Sequence, residues 1–402
     1  MIFVDDVGWH WGSSLNLEIF TLDSRERELL RIIWVSGRLS RWELHERSGQ
    51  TPNGVGIVAG RLLEQGILRE CPSEPSGGGR PRIPLEIDPA QRHVVGLMIL
   101  PNAVEICRMN LYGNVIGKPQ RRSVLENEDV VSTGARMLQE MVSRKTLSVG
   151  IGIAGLMDQE THSLMLNAAA SEQRGISLQP LYEAIGECPF VLVNNLLSLA
   201  ARWALTHRAE FDQDVLLVAF GDAHLGAAML IQGKPNRGCM MGANELGHTR
   251  LPVETEVCFC GHTGCLERIC SSSFLHSNGV PANRTLQDLL SGEEDNAAVE
   301  KLIELLSMGI ANGVNFVRPH RLVLVSDLTR SKKFDQTLMR RIDSMLLPEL
   351  ATRVRIDAWD IQSFNTAETA GWTALAGFYS DSWEPYNTTP QQKIPSEPVW
   401  RA

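Results

Sequence analysis

Three short stretches near the start of the chain carry apolar side chains at helical spacing. They cover 24–34, 40–47 and 51–65, and a glycine follows each stretch within three residues. Ser24 is the expected N-cap of the first helix, and Pro52 suits the first turn of the third. Three short helices with a tight turn before the last predict a helix-turn-helix, whose third helix would enter the major groove of DNA.

Two strand-length runs follow these helices, at 67–70 and 83–87. Between them lies Ser-Gly-Gly-Gly-Arg-Pro-Arg (76–82), a glycine-rich tip whose arginines suit a narrow minor groove. Helices, strands and tip together predict a winged helix. The alternative is an ordinary flexible linker that carries two arginines. The expected DNA contacts are Thr51, Asn53, Arg61, Arg80 and Arg82.

The composition of the third helix argues against this interpretation. Gly54, Gly56 and Gly60 each weaken a helix by about 1 kcal/mol relative to alanine. We therefore expect this helix to bind DNA weakly, or to tighten only when DNA is bound.

Beyond residue 92 the pattern changes to alternating strands and helices. Strand-length apolar runs occur at 94–99, 104–111, 148–153 and 215–219. Helical stretches occur around 129–145, 196–207 and 297–317. This alternation predicts an α/β body.

The predicted division of the chain follows from these patterns. It consists of an N-terminal extension (1–22), a winged helix-turn-helix DNA-binding domain (23–92), an effector and oligomerisation domain (93–380) and a Pro-rich mobile tail (381–402).

Length, composition and charge agree with this division. A chain of 402 residues with 43% hydrophobic and 21% charged residues predicts a globular protein of two or three domains. No signal peptide or membrane anchor is recognisable, so we expect a cytoplasmic protein without membrane partners. Residues 24–92 contain eleven arginines, no lysine and nine acids, on a chain with a net charge of −9. A slightly positive head on an acidic body fits nucleic-acid binding, although the charge signal is weak.

A histidine and three cysteines occur close together in the second half of the body. They are His248, Cys258, Cys260 and Cys265, a combination that suits one tetrahedral zinc ion. Four protein ligands leave no open position, so the ion would be structural. The alternative is four residues of unrelated burial. The other five cysteines are interpreted as reduced thiols.

Several motifs in the body resemble those of the ROK family of bacterial sugar kinases and sugar-responsive repressors. The most specific is Glu-Leu-Gly-His (245–248) ahead of the cysteine run; others lie at 150–155, Asn167, 193–194 and 310–315. The resemblance covers about 24–380. It implies a winged helix followed by a two-lobed, actin-like (ribonuclease H-like) sugar-kinase fold with a zinc knuckle.

The resemblance also implies a set of sugar-binding positions. These are Asn167, Asn194, Asn195, Glu245, His248 and Glu267. Carboxylates and amides of this kind can grip adjacent hydroxyl groups in pairs. His248 would serve twice, with one ring nitrogen on zinc and the other edge near the ligand.

The chain departs from the kinase pattern of this family at four places. Asn195 stands where the kinases have the aspartate that acts as general base, and an amide cannot take up a proton. The phosphate loop Asp-x-Gly-Gly-Thr is replaced by Met-Ile-Leu-Pro-Asn at 98–102. The glycine-rich second loop has become 221–227, where Asp222 would repel phosphate, and Ser326-Asp327 replaces a double glycine. These losses predict that the protein is not an enzyme.

The sequence as a whole therefore predicts a transcriptional regulator, most simply a repressor, which binds operator DNA as a homodimer or homotetramer. The effector would be a sugar or sugar derivative; loss of every small-molecule response, or a differently shaped effector, are the alternatives. Two other functions stay open. One is a sugar kinase with a DNA-binding head, and the other is an effector-independent regulator controlled by a protein partner.

Overall fold

The computed structural model describes residues 22–73, 82–124, 128–158, 162–168, 171–207, 213–238, 244–292, 294–361, 363–380 and 383. Its N-terminal unit contains the three helices that the apolar spacing predicts. They are α1 (Ser24–Ser36), α2 (Arg41–Ser48) and α3 (Pro52–Glu64).

Each of these helices begins at a side chain that caps it. Ser40 caps α2 and Thr51 caps α3. The N-cap of α1 is Asp23 and not Ser24, because the Asp23 carboxylate accepts the N–H of Glu26 at 2.8 Å. The Glu26 carboxylate in turn accepts the N–H of Asp23, also at 2.8 Å, which completes a capping box.

A small antiparallel sheet completes the N-terminal unit. Its strands are β1 (Leu39–Ser40), β2 (Leu68–Glu70) and β3 (Pro84–Ile87), with β3 between the other two. β2 and β3 match the predicted pair. β1 has only two residues, too few for a periodic signal, and only its pairing with β3 reveals it.

The body is built from alternating strands and helices, as predicted. Its strands are β4 (His93–Leu100), β5 (Ala103–Asn110), β6 (Val115–Ser123), β7 (Thr146–Ile153), β8 (Leu156–Asp158), β9 (Ser163–Ala168), β10 (Ser171–Ser177), β11 (Phe190–Asn194), β12 (Val215–Gly221), β13 (His224–Ile231), β14 (Lys234–Pro235), β15 (Arg321–Ser326) and β16 (Arg355–Trp359). Its helices are α4 (Val130–Met141), α5 (Gln179–Ile185), α6 (Asn195–Thr206), α7 (Leu266–Ile269), α8 (Ser272–Ser277), α9 (Leu286–Ser291), α10 (Ala297–Val317), α11 (Lys332–Ser344), α12 (Pro348–Ala351) and α13 (Ala367–Tyr379).

Two five-stranded sheets organise the body. Their strand orders are β11-β7-β4-β5-β6 and β14-β13-β12-β15-β16. In each sheet an antiparallel hairpin, β4–β5 or β12–β13, is extended by two strands that run parallel to its first strand. Strands β8 to β10 form a separate small antiparallel sheet.

Helix α13 lies directly on the first sheet. A Cβ atom placed on Gly150 of β7 would come within 2.0 Å of the Ala370 carbonyl oxygen. Any side chain at residue 150 would therefore push α13 away from the strand. Helix α13 therefore packs directly on the backbone of the strand at this position.

The N-terminal unit shares an apolar core with the body. The ring of Trp34 on α1 lies 4.7 Å from that of Tyr379, 5.9 Å from Tyr112 and 6.3 Å from Trp372. Two of these three partners are on α13. The two units are therefore joined by an aromatic contact and not only by the chain that connects them.

The ends of the chain fall largely outside the described residues, including 1–21 and 384–402. Trp383, which lies inside the predicted mobile tail, is an exception. Its side chain is fully buried, and its indole N–H donates to the carbonyl of Gly233 at 3.2 Å. The tail prediction is therefore wrong at this residue, because a large aromatic ring gains more from burial than from solvent exposure.

No helix in the described part of the chain has both the length and the apolar character that a membrane crossing requires.

Candidate metal centre and ligand cleft

Four potential metal ligands lie together, as the sequence predicts. Their ligand atoms are all within 4.8 Å of one another, and they belong to His248, Cys258, Cys260 and Cys265. The Cys258 Sγ lies 3.6 Å from His248 Nδ1, and the Cys260 Sγ lies 3.6 Å from the Cys265 Sγ. Three thiol groups and one imidazole at these separations can hold a metal ion in a tetrahedral shell.

The loop that carries the cysteines depends on a glycine. Gly264 has a φ of +80°, and a Cβ atom there would lie 2.3 Å from the Leu251 carbonyl oxygen. Only glycine meets both demands, and the next residue, Cys265, is then placed as the N-cap of α7. The ring of Phe259 packs edge-on against His248 at 4.7 Å. These contacts hold the ligand atoms close together.

The second ring nitrogen of His248 faces two carboxylates. Its Nε2 lies 3.8 Å from a carboxylate oxygen of Glu245 and 3.8 Å from one of Glu267. Burial and the charge of Arg268 lower the pKa of His248, which favours the neutral imidazole that metal binding requires. Burial raises the pKa of Glu267 to about 7, against the opposing charge of Arg268.

The two asparagines at the start of α6 have different surroundings. The Asn194 side-chain oxygen caps α6 by accepting the N–H of Leu197 at 2.7 Å, so part of its acceptor capacity is used within the fold. The Asn195 amide donates to the side-chain oxygen of Asn365 at 2.7 Å. Leu196, the next residue, packs against Gly226 of β13.

The start of α6 therefore meets the same strand against which the His248 segment packs. Leu196 meets this strand at Gly226 and Gly247 meets it at Leu225, so the segment with Asn195 lies beside the segment with Glu245 and His248. We call Asn194, Asn195, Glu245, His248 and Glu267 the sugar side of the cleft. Asn167 lies on β9, opposite Glu172, and its side chain is outside the described atoms.

Asn365 is a residue of this site that the sequence analysis missed. It lies just before the N-cap of α13, so the Asn195–Asn365 hydrogen bond joins the cleft to that helix. The only hint in the sequence is its position before a helix, which many asparagines share. Its partner, 170 residues earlier, is visible only in the fold.

The segments at the positions of the kinase phosphate loops form what we call the phosphate side: the β4–β5 turn, the β12–β13 turn and Ser326-Asp327. In the first, Met98 is fully buried in β4, where it pairs with Glu105 of β5 and Gly152 of β7. The backbone of Met98 and Ile99 is therefore paired on both edges of the strand, while Pro101 and Asn102 form the turn itself.

The β12–β13 turn is also closed by internal contacts. The Asp222 carboxylate accepts the backbone N–H of Ser272 at 2.7 Å and its hydroxyl at 2.5 Å. His224 Nε2 lies 3.2 Å from the Asp327 carboxylate. Burial opposes the charged form of His224, but the hydrogen bond and charge of Asp327 outweigh it and raise the histidine pKa. Two carboxylates, those of Asp222 and Asp327, are thus bound within this turn and its neighbouring segment.

The residues expected to contact DNA are spread over the N-terminal unit. The Thr51 hydroxyl accepts the N–H of Gly54 at 3.1 Å, while Asn53 and Arg82 are exposed. Arg61 is bound internally: its guanidinium lies 3.0 Å from the Asp23 carboxylate and 3.3 Å from that of Glu26. Arg80 lies outside the described residues.

Known proteins share this architecture. The structure is similar to that of a ROK family transcriptional regulator, a homologue of the E. coli MLC protein, with a TM-score of 0.72 and 19% identity over 89% of this chain and 98% of that one. It is also similar to a ROK hexokinase from Thermus thermophilus, with a TM-score of 0.55 and 19% identity over 70% of this chain and 97% of that one. The fold is therefore one that regulators and sugar kinases have in common.

The sequence comparisons lead to the family. Residues 106–377 match the ROK family. The chain is 22% identical to the xylose repressor of Caldicellulosiruptor bescii over 328 residues. This alignment covers 74% of this chain and 81% of that protein. This protein belongs to the ROK family, as its motifs indicate.

Proposed function

We propose that this protein is a transcription regulator, most simply a repressor, that binds operator DNA, responds to a sugar or sugar derivative and has no kinase activity. The observation that carries the proposal is the difference between the two sides of the cleft. The sugar side keeps polar groups that face one another, whereas the phosphate side is occupied by a buried methionine and by internally bonded carboxylates.

The N-terminal unit supports the DNA-binding part of this proposal. Three residues separate α2 from α3, and a three-stranded sheet follows, as in a winged helix. The proposed contacts to DNA remain Thr51, Asn53, Arg61, Arg80 and Arg82, with Arg61 contacting a phosphate and not a base. Because one winged helix makes few contacts, we expect two copies of the chain to bind half-sites about one helical turn apart.

The histidine–cysteine cluster supports a structural zinc ion. A tetrahedral ion with Zn–S bonds of about 2.3 Å places its sulfur atoms about 3.8 Å apart, close to the Cys260–Cys265 separation of 3.6 Å. Bound through His248 Nδ1, zinc would hold the segment with Glu245 against the helix with Glu267. These two carboxylates and Asn195 would then grip the hydroxyl groups of the effector.

Helix α13 offers a route between effector and DNA. Its first turn follows Asn365, which is bonded to Asn195 in the cleft, and its last turn carries Tyr379, which contacts Trp34 of α1. A ligand that moves the cleft would therefore also shift the N-terminal unit. Such coupling requires that the ligand bind two arrangements of the protein with different affinity.

A thermal-shift screen of the full chain tests the function. Sugars, amino sugars, sugar phosphates and ATP are added singly, and a ligand at a hundred times its dissociation constant stabilises the protein by about 2.7 kcal/mol. We expect a shift with at least one sugar and none with ATP. A clear ATP shift with turnover would support the kinase alternative, and silence across all sugars would favour control by a protein partner.

A further inference from the structure

Helix α3 exposes an unusual face for a helix that reads DNA. Val55, Val58, Ala59 and Leu62 are buried against α1, α2 and the sheet. On the opposite face, the one large apolar side chain along the whole of α3 is Ile57, which is 57% exposed. Single exposed apolar residues are common on protein surfaces, but Ile57 stands at the middle of the outward face of the helix that a helix-turn-helix places in the major groove.

Arg61 lies on this exposed face, but its guanidinium is bound within the protein. Arg61 is held between the carboxylates of Asp23 and Glu26, and the Glu26 side chain is only 4% exposed. To reach a base, the guanidinium would have to give up its contacts with both Asp23 and the buried Glu26 carboxylate. Arg61 therefore braces α1 against α3 and is poorly placed to read a sequence.

The surroundings of Ile57 favour a close approach to duplex DNA. A Cβ atom placed on Gly60, one turn further along the same side of the helix, or on the adjacent Gly56 would meet no atom within 4 Å. With no side chains there, the helix backbone can lie deeper in a groove. Arg25, which is exposed, lines the same cavity of about 260 Å³ as Ile57 and can contact a phosphate beside it.

We propose that Ile57 is a specificity-determining residue, which selects a T·A pair by packing on the C5 methyl group of thymine in the major groove of each half-site. An isoleucine side chain can neither donate nor accept a hydrogen bond. The thymine methyl is the one apolar group that base edges present in that groove. The inference rests on the proposed DNA-binding function and goes beyond it by naming the base pair that this helix prefers.

The test begins with selection of duplex DNA by the full-length protein from a random pool. Each thymine in the enriched sequence is then replaced by deoxyuridine, which lacks only the C5 methyl group. We expect one replacement per half-site to weaken binding about fourfold, the value of one buried methyl group. Ile57→Ala should weaken binding to the thymine duplex and be insensitive to that same replacement, whereas Ile57→Val should keep the sensitivity.

Val35→Ala provides the matched control, because Val35 is an equally exposed β-branched residue, on α1 instead of α3. It should leave both the affinity and the response to deoxyuridine unchanged. If a sequence is enriched but no deoxyuridine position depends on Ile57, the inference is overturned and the regulator function stands. If no duplex is enriched, the proposed function itself fails, and the role of Ile57 fails with it.

Discussion

The sugar side and the phosphate side of the cleft differ in which polar groups remain available to a ligand. On the sugar side, Glu245 and Glu267 face the free nitrogen of His248, and no apolar side chain replaces them. On the phosphate side, Met98 is buried where the kinases of the family place a carboxylate, and Asp222 is bonded to Ser272.

This difference shows how a catalytic cleft can become a binding cleft. Ligand recognition needs only polar groups at fixed positions, and a metal cluster beside them can supply the rigidity. Phosphoryl transfer also needs free backbone N–H groups and a place for magnesium. On the function proposed above, a cleft in which those positions pair with their own neighbours would bind a ligand without phosphorylating it.

The largest effect is expected from removing a metal ligand on the sugar side. Cys260→Ser should abolish stoichiometric zinc and lower the free energy of unfolding by about 3 kcal/mol or more, because closed zinc sites contribute directly to folding. Metal analysis and chemical denaturation measure both quantities. His262→Ala, an exposed residue in the same loop, is the control and should keep the metal. A Cys260→Ser variant with full zinc and unchanged stability would disprove the cluster.

A similarly large effect is expected where α13 meets the N-terminal unit. Trp34→Ala should lower the free energy of unfolding by about 3 kcal/mol. It removes the ring that packs against Tyr379, Tyr112 and Trp372 and leaves a cavity in its place. The exposed Trp42, changed in the same way, should cost far less. The decisive measurement is the ratio of DNA affinities with and without the effector sugar. Trp34→Ala should bring that ratio towards one, and an unchanged ratio would rule out the α13 route.

Glu267→Gln tests the contact between Glu267 and the sugar with little change in side-chain volume. Removal of one charged hydrogen-bonding partner should weaken the sugar identified by thermal shift roughly ten- to hundredfold. Titration calorimetry measures this change. Glu254→Gln makes the same substitution at an exposed position of the preceding loop and should bind normally. If both variants bind the sugar with the same affinity, Glu267 does not contact the sugar.

A smaller, pH-dependent effect is expected on the phosphate side. Because the pKa of His224 is raised in the folded protein, its pair with Asp327 stabilises the fold below pH 6.5, the ordinary histidine value. That stability is lost as the pH rises through the raised pKa. The pair is partly exposed, so the contribution should be under about 1 kcal/mol. Unfolding of the wild type and Asp327→Asn at pH 5.5 and 8.5 should differ only at the lower pH.

The smallest effect, namely none, is expected from restoring the kinase base alone. Asn195→Asp supplies the missing carboxylate but leaves Met98 and Asp222 in place. A coupled assay with the bound sugar and ATP should detect no more turnover than in the wild type. Measurable phosphorylation by this variant would show that the phosphate side still admits a nucleotide.

Much of this molecule could be predicted from local sequence. Helices α1, α2, α3 and α10 begin and end within two residues of the predicted stretches, because apolar spacing and capping residues act over a few positions. The N-cap of α1 was wrongly assigned to Ser24 instead of Asp23, since neighbouring residues of similar type compete for a cap and only the backbone geometry decides between them.

The limits appear where a residue's role depends on a distant partner. Asn194, a predicted ligand contact, is also the cap of α6, and no local pattern marks Asn365 as the partner of Asn195. Arg61 was expected to contact DNA, yet its charge is paired with Asp23 across the fold. Spacing along the chain contains no information about such contacts.

The family, the α/β class of the body and the four clustered histidine and cysteine residues follow from residue types at short spacing, and so does the absence of glycine-rich phosphate loops. Other properties are visible only in the folded chain: which nitrogen of His248 faces the cysteines, how the turns of the phosphate side are closed, that α13 meets Trp34, and that Ile57 stands exposed on α3. These properties arise from packing between segments far apart in the chain, where burial and pairing are set by the fold as a whole.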